Sequence, residues 1–283
     1  MKILENHEMK LHSNMKVGGT AKKFITVEDK NELKEIFEKN SNIFLIGNGT
    51  NTLIDEGNLD MTFVSLKEFD NVRELERGLV EVEAGLDFNK LIAYMNKNNY
   101  SGLENLAGIP GSVGGLVYMN GGAYGSEIFD CISVIEIFDE NHEIRRIKKE
   151  DLDFSYRRTE IQSKKWIIIS AVFKFKDGFD LQKVVEIQTM RESKQPLDLP
   201  NLGSTFKNPA GDFSARLISE AGLKGTVIGG AQISEKHPNF IVNRGTATFK
   251  DISEILKLVK KTISEKYGIN LEEEIIIIKN SDK

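Results

Sequence analysis

A single cysteine, Cys131, stands in a chain of 283 residues, and one thiol cannot close an intramolecular disulfide. Its expected part is that of a small apolar side chain in a core. Histidine is almost as scarce: His7, His12, His142 and His237 are scattered without zinc-ligand spacing, so no metal centre is expected. No run of about 18 apolar residues occurs that could span a bilayer. The opening MKILENHEMKLHSN also lacks the apolar stretch of a signal peptide. A cytoplasmic protein without a membrane partner is the expectation. The common nucleotide motifs are missing too. There is no GxxxxGK(S/T), and in GNGTNT, residues 47–52, Thr52 holds the place of the third glycine of GxGxxG. A P-loop and a Rossmann domain are both argued against. A net charge of −5 with lysines spread along the chain speaks against a nucleic-acid partner and leaves room for a local basic pocket.

What is present fits an enzyme of two or three domains, since 283 residues exceed what one core usually organises and 40% hydrophobic residues suffice for real cores. Glycines crowd the stretch Ala107–Gly125, AGIPGSVGGLVYMNGGAYG. Glycine permits φ > 0 and carries no Cβ, so successive N–H groups can converge on an anion. Taken alone, the same cluster reads equally well as tight turns. A second cluster tips the balance: Gly47 to Thr52 follows the apolar run Ile43–Ile46, as though a buried strand emptied into a polar glycine turn. A long dinucleotide held between two loops of an α+β domain would use both.

Alternating apolar residues predict strands at Leu79–Ala84, Ile132–Phe138 and Trp166–Lys176, the last ending in FKFK, within a mixed or antiparallel sheet. Helices are expected at Glu28–Lys39, Asp87–Asn98, Asp180–Ser193 and Asp251–Tyr267. In the last, Asp251 with Glu254 resembles a capping box, Ile252, Ile255, Leu256, Val259 and Ile263 form one apolar face, and Gly268 can end the helix. From Gln195 to Pro209 the chain reads QPLDLPNLGSTFKNP, a domain boundary followed by hydroxyls, a lysine and an asparagine.

Together the loops resemble one family, the flavoenzyme UDP-N-acetylenolpyruvoylglucosamine reductase, or MurB. The landmarks are MKVGGTA from Met15, LIGNGTNTLIDEG from Leu45, GIPGSVGG with MNGGAYG, SYRRT from Ser155, GSTFKNP from Gly203, HPNFIVN from His237 and LEEEI from Leu271. The chain is similar to the shorter subtype, without an extra tyrosine-bearing loop. The resemblance implies an α+β fold: an FAD-binding domain of the vanillyl-alcohol-oxidase (PCMH) type in two lobes plus a C-terminal substrate-binding domain. Lobe 1 would comprise residues 1–68 with the strand 275–283 returning to it, lobe 2 residues 69–195, and the substrate domain residues 196–274. Thr20, Thr50 and Gly121 depart from the usual proline, serine and alanine, and the IIIIKN tail makes the last strand harder to place.

The implied reaction uses NADPH to reduce non-covalently held FAD, then reduces the enolpyruvyl double bond of a UDP-sugar to give UDP-N-acetylmuramate. A monomer acting on small molecules is implied. Similarity makes Ser204 the proton donor, with Arg157 and Glu274 as stabilising groups. A guanidinium suits a carboxylate as a planar donor, and only the motif YRRT favours Arg157 over Arg158 or over an ordinary surface ion pair. Glu274 lies in an acidic run whose default meaning is solvated surface, and a shift of register would put the role on Glu272. Protonated, Glu274 could hydrogen-bond an enol; ionised, it would repel one. FAD is expected on Gly47, Asn48, Gly49, Thr50 and Asn51 and on Gly108, Ile109, Pro110, Gly111, Ser112, Gly114 and Gly115. Tyr124, Lys194 and Asn208 are expected to bind substrate, with Lys207 flanking and Arg191 a weaker candidate. The rivals are a flavin oxidase or dehydrogenase of another sugar or lactone on the same fold, and a nucleotide-binding module without catalysis.

Overall fold

In a computed structural model describing residues 1–280, the strand Ile167–Lys174 is buried at every position but the last. The alternation expected there is confined to its end: a strand covered on both faces reads as a nearly continuous apolar run, broken here by the buried Ser170. It sits at the centre of a five-stranded antiparallel sheet in the order Ile144–Lys148, Ile132–Phe138, Ile167–Lys174, Leu79–Glu83, Val72–Glu76. This sheet belongs to the larger of two units, formed by Met1–Glu5, Lys23–Asn48 and Met61–Arg191. Its helices are α1 (Glu32–Lys39), α2 (Phe88–Asn98), α3 (Val113–Tyr118), α4 (Glu160–Lys164) and most of α5 (Leu181–Lys194). One core holds it together, with Val80, Val82, Phe88, Leu91, Val113, Ile135, Ile137 and Phe173 among its buried members.

Helix α1 starts four residues after the expected Glu28, because the Asp29 carboxylate accepts from the Asn31 N–H at 2.9 Å and diverts the chain into a turn. Helix α2 begins as expected, with Asp87 capping the Asn89 N–H. Helix α3 lies inside the segment read as glycine loop, capped by Ser112 and burying Val113, Leu116 and Val117. The strand Ile43–Leu45 pairs parallel with Asn58–Ser65 and is half-buried rather than buried.

The second unit comprises Asn6–Lys22, Gly49–Asp60 and the chain from Glu192 onward. A three-stranded antiparallel sheet, Val227–Ile228, Ala231–Ile233 and Ile241–Asn243, packs with α6 (Ser214–Glu220) and α7 (Phe249–Tyr267). The five apolar residues expected on α7 are all buried, and Gly268 closes the helix in the left-handed conformation. Its start differs. Thr248 is the N-cap and its capping box partner is Asp251, so the helix begins at Phe249 and the Asp251–Glu254 pairing is not formed. Within the same unit Ile276–Ile278 runs parallel to Thr52–Ile54, pairing Ile276 with Thr52 and Ile278 with Ile54. No helix among the described residues is long and apolar enough to cross a membrane.

Candidate active site

Gly47 and Asn48, the first two residues of the upstream glycine cluster, meet the downstream cluster in the first unit. Gly47 packs so closely on Ser112 that a Cβ there would lie 2.8 Å from Ser112 Oγ. The Asn48 amide donates to Asp87 at 3.1 Å. The Gly111 carbonyl accepts from the Phe88 N–H at 2.9 Å, Val113 N–H donates to Leu86 at 2.8 Å, and Gly114 N–H donates to Ala84 at 2.8 Å. Residues 84–88 thus stitch the Gly111–Gly115 turn to the sheet, and Ser112 Oγ accepts from the Gly115 N–H at 3.3 Å. Gly108 is left-handed at φ +78°, Ile109 is half-buried and Pro110 exposed.

Arg157 belongs to this unit and carries a local strain signal. It is a non-glycine residue at φ +55° in the turn between the paired strands Phe154–Ser155 and Arg158–Thr159. Its guanidinium is half-buried and donates to the Asn120 carbonyl at 3.1 Å and the Gly122 carbonyl at 2.6 Å. Two carbonyls fix the planar group in orientation. Arg158, its sequence neighbour, is exposed. Asn120 is fully buried and bridges Glu127 and the Ser155 carbonyl through its own amide.

Arg191, weighted lightly from sequence, stands out here. It is 7% exposed, its Nε has no hydrogen-bond partner, and it packs on Gly108. Burial pulls its guanidinium below the ordinary range, yet arginine remains a cation at neutral pH. A buried cation without a carboxylate is costly unless an anion completes it. Tyr124, also in this unit, is held at φ +50° with its side chain exposed. The glycine cradle and this unanswered charge fit a diphosphate-bearing cofactor such as FAD.

In the second unit Gly49 is left-handed, and a Cβ on it would fall 1.8 Å from the His12 carbonyl oxygen, so no other residue fits. Thr50 is half-buried, and the Asn51 amide donates to the Glu274 carbonyl at 3.1 Å. Ser204 is half-buried at the head of an extended segment that pairs with the acidic run: Glu274 N–H donates to Thr205 at 2.8 Å, Lys207 N–H to Glu272 at 2.9 Å, and Phe206 stands opposite Glu273. The three glutamates have different surroundings. Glu272 is exposed and meets the Lys207 ammonium at 3.4 Å. Glu273 is bound by Lys260 at 2.9 Å. Glu274 is half-buried and leads into the strand Ile276–Ile278. Asn208 is exposed and accepts from the Ser214 N–H at 3.1 Å, and Lys194 is exposed at the end of α5.

The family model "UDP-N-acetylenolpyruvoylglucosamine reductase, C-terminal domain" matches residues 195–278, and the "FAD binding domain" model matches residues 21–148. A UDP-N-acetylenolpyruvoylglucosamine reductase of Fusobacterium nucleatum is 59% identical, covering 99% of this chain and 100% of that protein. Proteins of the same name from Caldanaerobacter subterraneus (37%, 98% of this chain and 94% of the relative) and Lachnoclostridium phytofermentans (38%, 96% and 92%) are also similar. Among solved structures, the UDP-N-acetylenolpyruvylglucosamine reductase of Thermus caldophilus superposes with a TM-score of 0.84 at 31% identity, over 98% of each chain.

Proposed function

Because the chain belongs to the UDP-N-acetylenolpyruvoylglucosamine reductase family, we propose that it catalyses the NADPH-dependent reduction of UDP-N-acetylenolpyruvoylglucosamine to UDP-N-acetylmuramate with FAD as cofactor. Membership makes it an oxidoreductase and flavoprotein of peptidoglycan synthesis. Identity of 59% along essentially the whole chain carries this reading.

Two glycine loops, Gly47–Asn51 and Gly108–Gly115, would hold the cofactor, with Arg191 answering a phosphate charge. FAD, when bound, supplies the hydride path from NADPH to the β carbon of the enolpyruvyl group. Hydride at that carbon leaves enolate-like charge beside the substrate carboxylate, which must be stabilised and then protonated at the α carbon. Ser204 is our proton donor. A serine hydroxyl is a poor acid toward most groups, but a developing carbanion is basic enough to take its proton. Arg157 is our cation for the substrate carboxylate, supported by its half-buried, carbonyl-clamped guanidinium. Glu274 is preferred to Glu272, which is exposed and already engaged with Lys207. Tyr124, Lys194 and Asn208 are assigned to the UDP-sugar.

We keep residues 1–68, with the strand 275–283 returning to them, and 69–195 as the two cofactor-binding lobes and 196–274 as the substrate domain; the parallel pairing of Ile276–Ile278 with Thr52–Ile54 supports that return, and residues 281–283 lie outside the described residues. The test is an anaerobic absorbance experiment on purified protein. NADPH should bleach a flavin spectrum, and UDP-N-acetylenolpyruvoylglucosamine should restore it without oxygen. Recovery only on admitting oxygen would move the assignment to an oxidase.

A further inference from the structure

Asn239 is 4% exposed, and both polar atoms of its side chain are spent on one residue. Its Nδ2 donates to the Phe206 carbonyl at 2.8 Å and its Oδ1 accepts from the Phe206 N–H at 3.0 Å. Its own carbonyl accepts from the Thr205 N–H at 2.8 Å. A primary amide presents donor and acceptor with nearly the spacing of a peptide unit, so this side chain serves as one rung of a β-ladder. The opposite edge of the same segment is bonded to the acidic run, with Glu274 N–H on the Thr205 carbonyl at 2.8 Å and Lys207 N–H on the Glu272 carbonyl at 2.9 Å. Thr205 and Phe206, the two residues after Ser204, are therefore held on both edges and buried.

The amide is itself anchored. Ser234 Oγ accepts from the N–H groups of Lys236 and His237 at 3.0 and 3.2 Å, and the turn closes with Phe240 N–H on the His237 carbonyl at 2.9 Å. Asparagine combines this length with an N–H donor and a carbonyl acceptor at any pH. Aspartate keeps the shape but sets an anion against the Phe206 carbonyl, and leucine offers neither partner.

We propose that Asn239 is a positioning residue for proton transfer: its amide fixes the register of Thr205 and Phe206, and through them the place of Ser204 relative to Glu274. The inference rests on Ser204 as proton donor. A displacement of roughly 1 Å in a reacting group can cost up to about a hundredfold in rate, so a buried clamp two residues away is enough to matter.

The test uses the FAD-loaded enzyme and separates its two half-reactions by anaerobic stopped flow. In Asn239→Asp, flavin reduction by NADPH stays within about twofold of wild type, whereas re-oxidation by UDP-N-acetylenolpyruvoylglucosamine slows at least about tenfold. The solvent deuterium isotope effect on that second step rises as protonation becomes limiting. Unchanged re-oxidation, or equal slowing of both steps, overturns the inference. Ser204→Ala is run beside it. If that variant re-oxidises normally, the serine reading falls and takes this one with it; if it slows while Asn239→Asp does not, only the Asn239 inference falls. Hydrogen exchange on the wild type gives a check independent of any variant: strong protection of the Thr205 and Phe206 amides is expected, and exchange as fast as in an exposed turn refutes the clamp.

Discussion

The contact between Gly47 and Ser112 can be tested by filling it. An alanine at position 47 is allowed by the backbone, because Gly47 is not among the residues at positive φ. Its Cβ would meet Ser112 Oγ at 2.8 Å, and the next atom, Ser112 Cβ, only at 3.9 Å. The whole conflict is thus with one hydroxyl, which can rotate away at the cost of its 3.3 Å bond to the Gly115 N–H. Losing such a cap costs about 1 kcal/mol. Gly47→Ala should therefore carry a steric cost of about 1 kcal/mol in the wild type and almost none in Ser112→Ala, where the cap is already gone. The coupling energy of the cycle is about 1 kcal/mol, against about 0.3–0.5 kcal/mol for independent sites. Any gain from restricting the unfolded chain is common to both backgrounds and cancels. Urea unfolding of the flavin-free protein, followed by the fluorescence of the single tryptophan, Trp166, measures it. Additive costs would refute the reasoning, because the two side chains would then not share the space.

Replacing Arg191 by methionine should raise the stability of the flavin-free protein or leave it unchanged, since a buried cation is removed, while weakening FAD binding at least about tenfold; equal FAD affinity by fluorescence titration would count against its role. Burial pushes the Cys131 thiol up to about 11, so iodoacetamide at neutral pH should label the protein only after urea unfolds it, and rapid labelling of the native protein would contradict that. The N–H groups of Thr248 and Gly230 hold the Asp251 carboxylate below the usual aspartate range. A lowered pKa gives stability that is present above the ordinary value and lost as pH falls through the lower one. Asp251→Asn should accordingly unfold at lower urea than wild type near neutral pH, with the gap closing in acid; a constant gap would mean the charge is irrelevant.

What the sequence made legible was local and periodic. The apolar face of α7 could be read residue by residue, because a 3.6-residue repeat records burial directly. Its start was misplaced by two residues because two acidic partners at capping spacing competed, and only the geometry at Thr248 decides between them. Helix α3 was hidden because its stability comes from Ser112 and from the cover over Val113, Leu116 and Val117, not from the propensity of a glycine-rich stretch. The motifs chose Arg157 over Arg158 and Glu274 over its neighbours, but the differing surroundings of these similar residues are visible only in the fold. The weight of Arg191 lay in a partner it does not have, and that of Asn239 in backbone 33 residues away.

The pairing of Ile276–Ile278 with Thr52–Ile54 bears on how the molecule is made. The second unit draws on Asn6–Lys22 and Gly49–Asp60 as well as on the chain after Arg191. During synthesis those early segments leave the ribosome long before their partners exist. Thr52, Leu53 and Ile54 must wait for this partner strand until Ile278 has been translated, and long-range pairing of this kind is slow and exposed to aggregation. The second unit is therefore completed only once Ile278 has been made. A transcript cut short anywhere before Ile276 would leave Thr52–Ile54 without this partner.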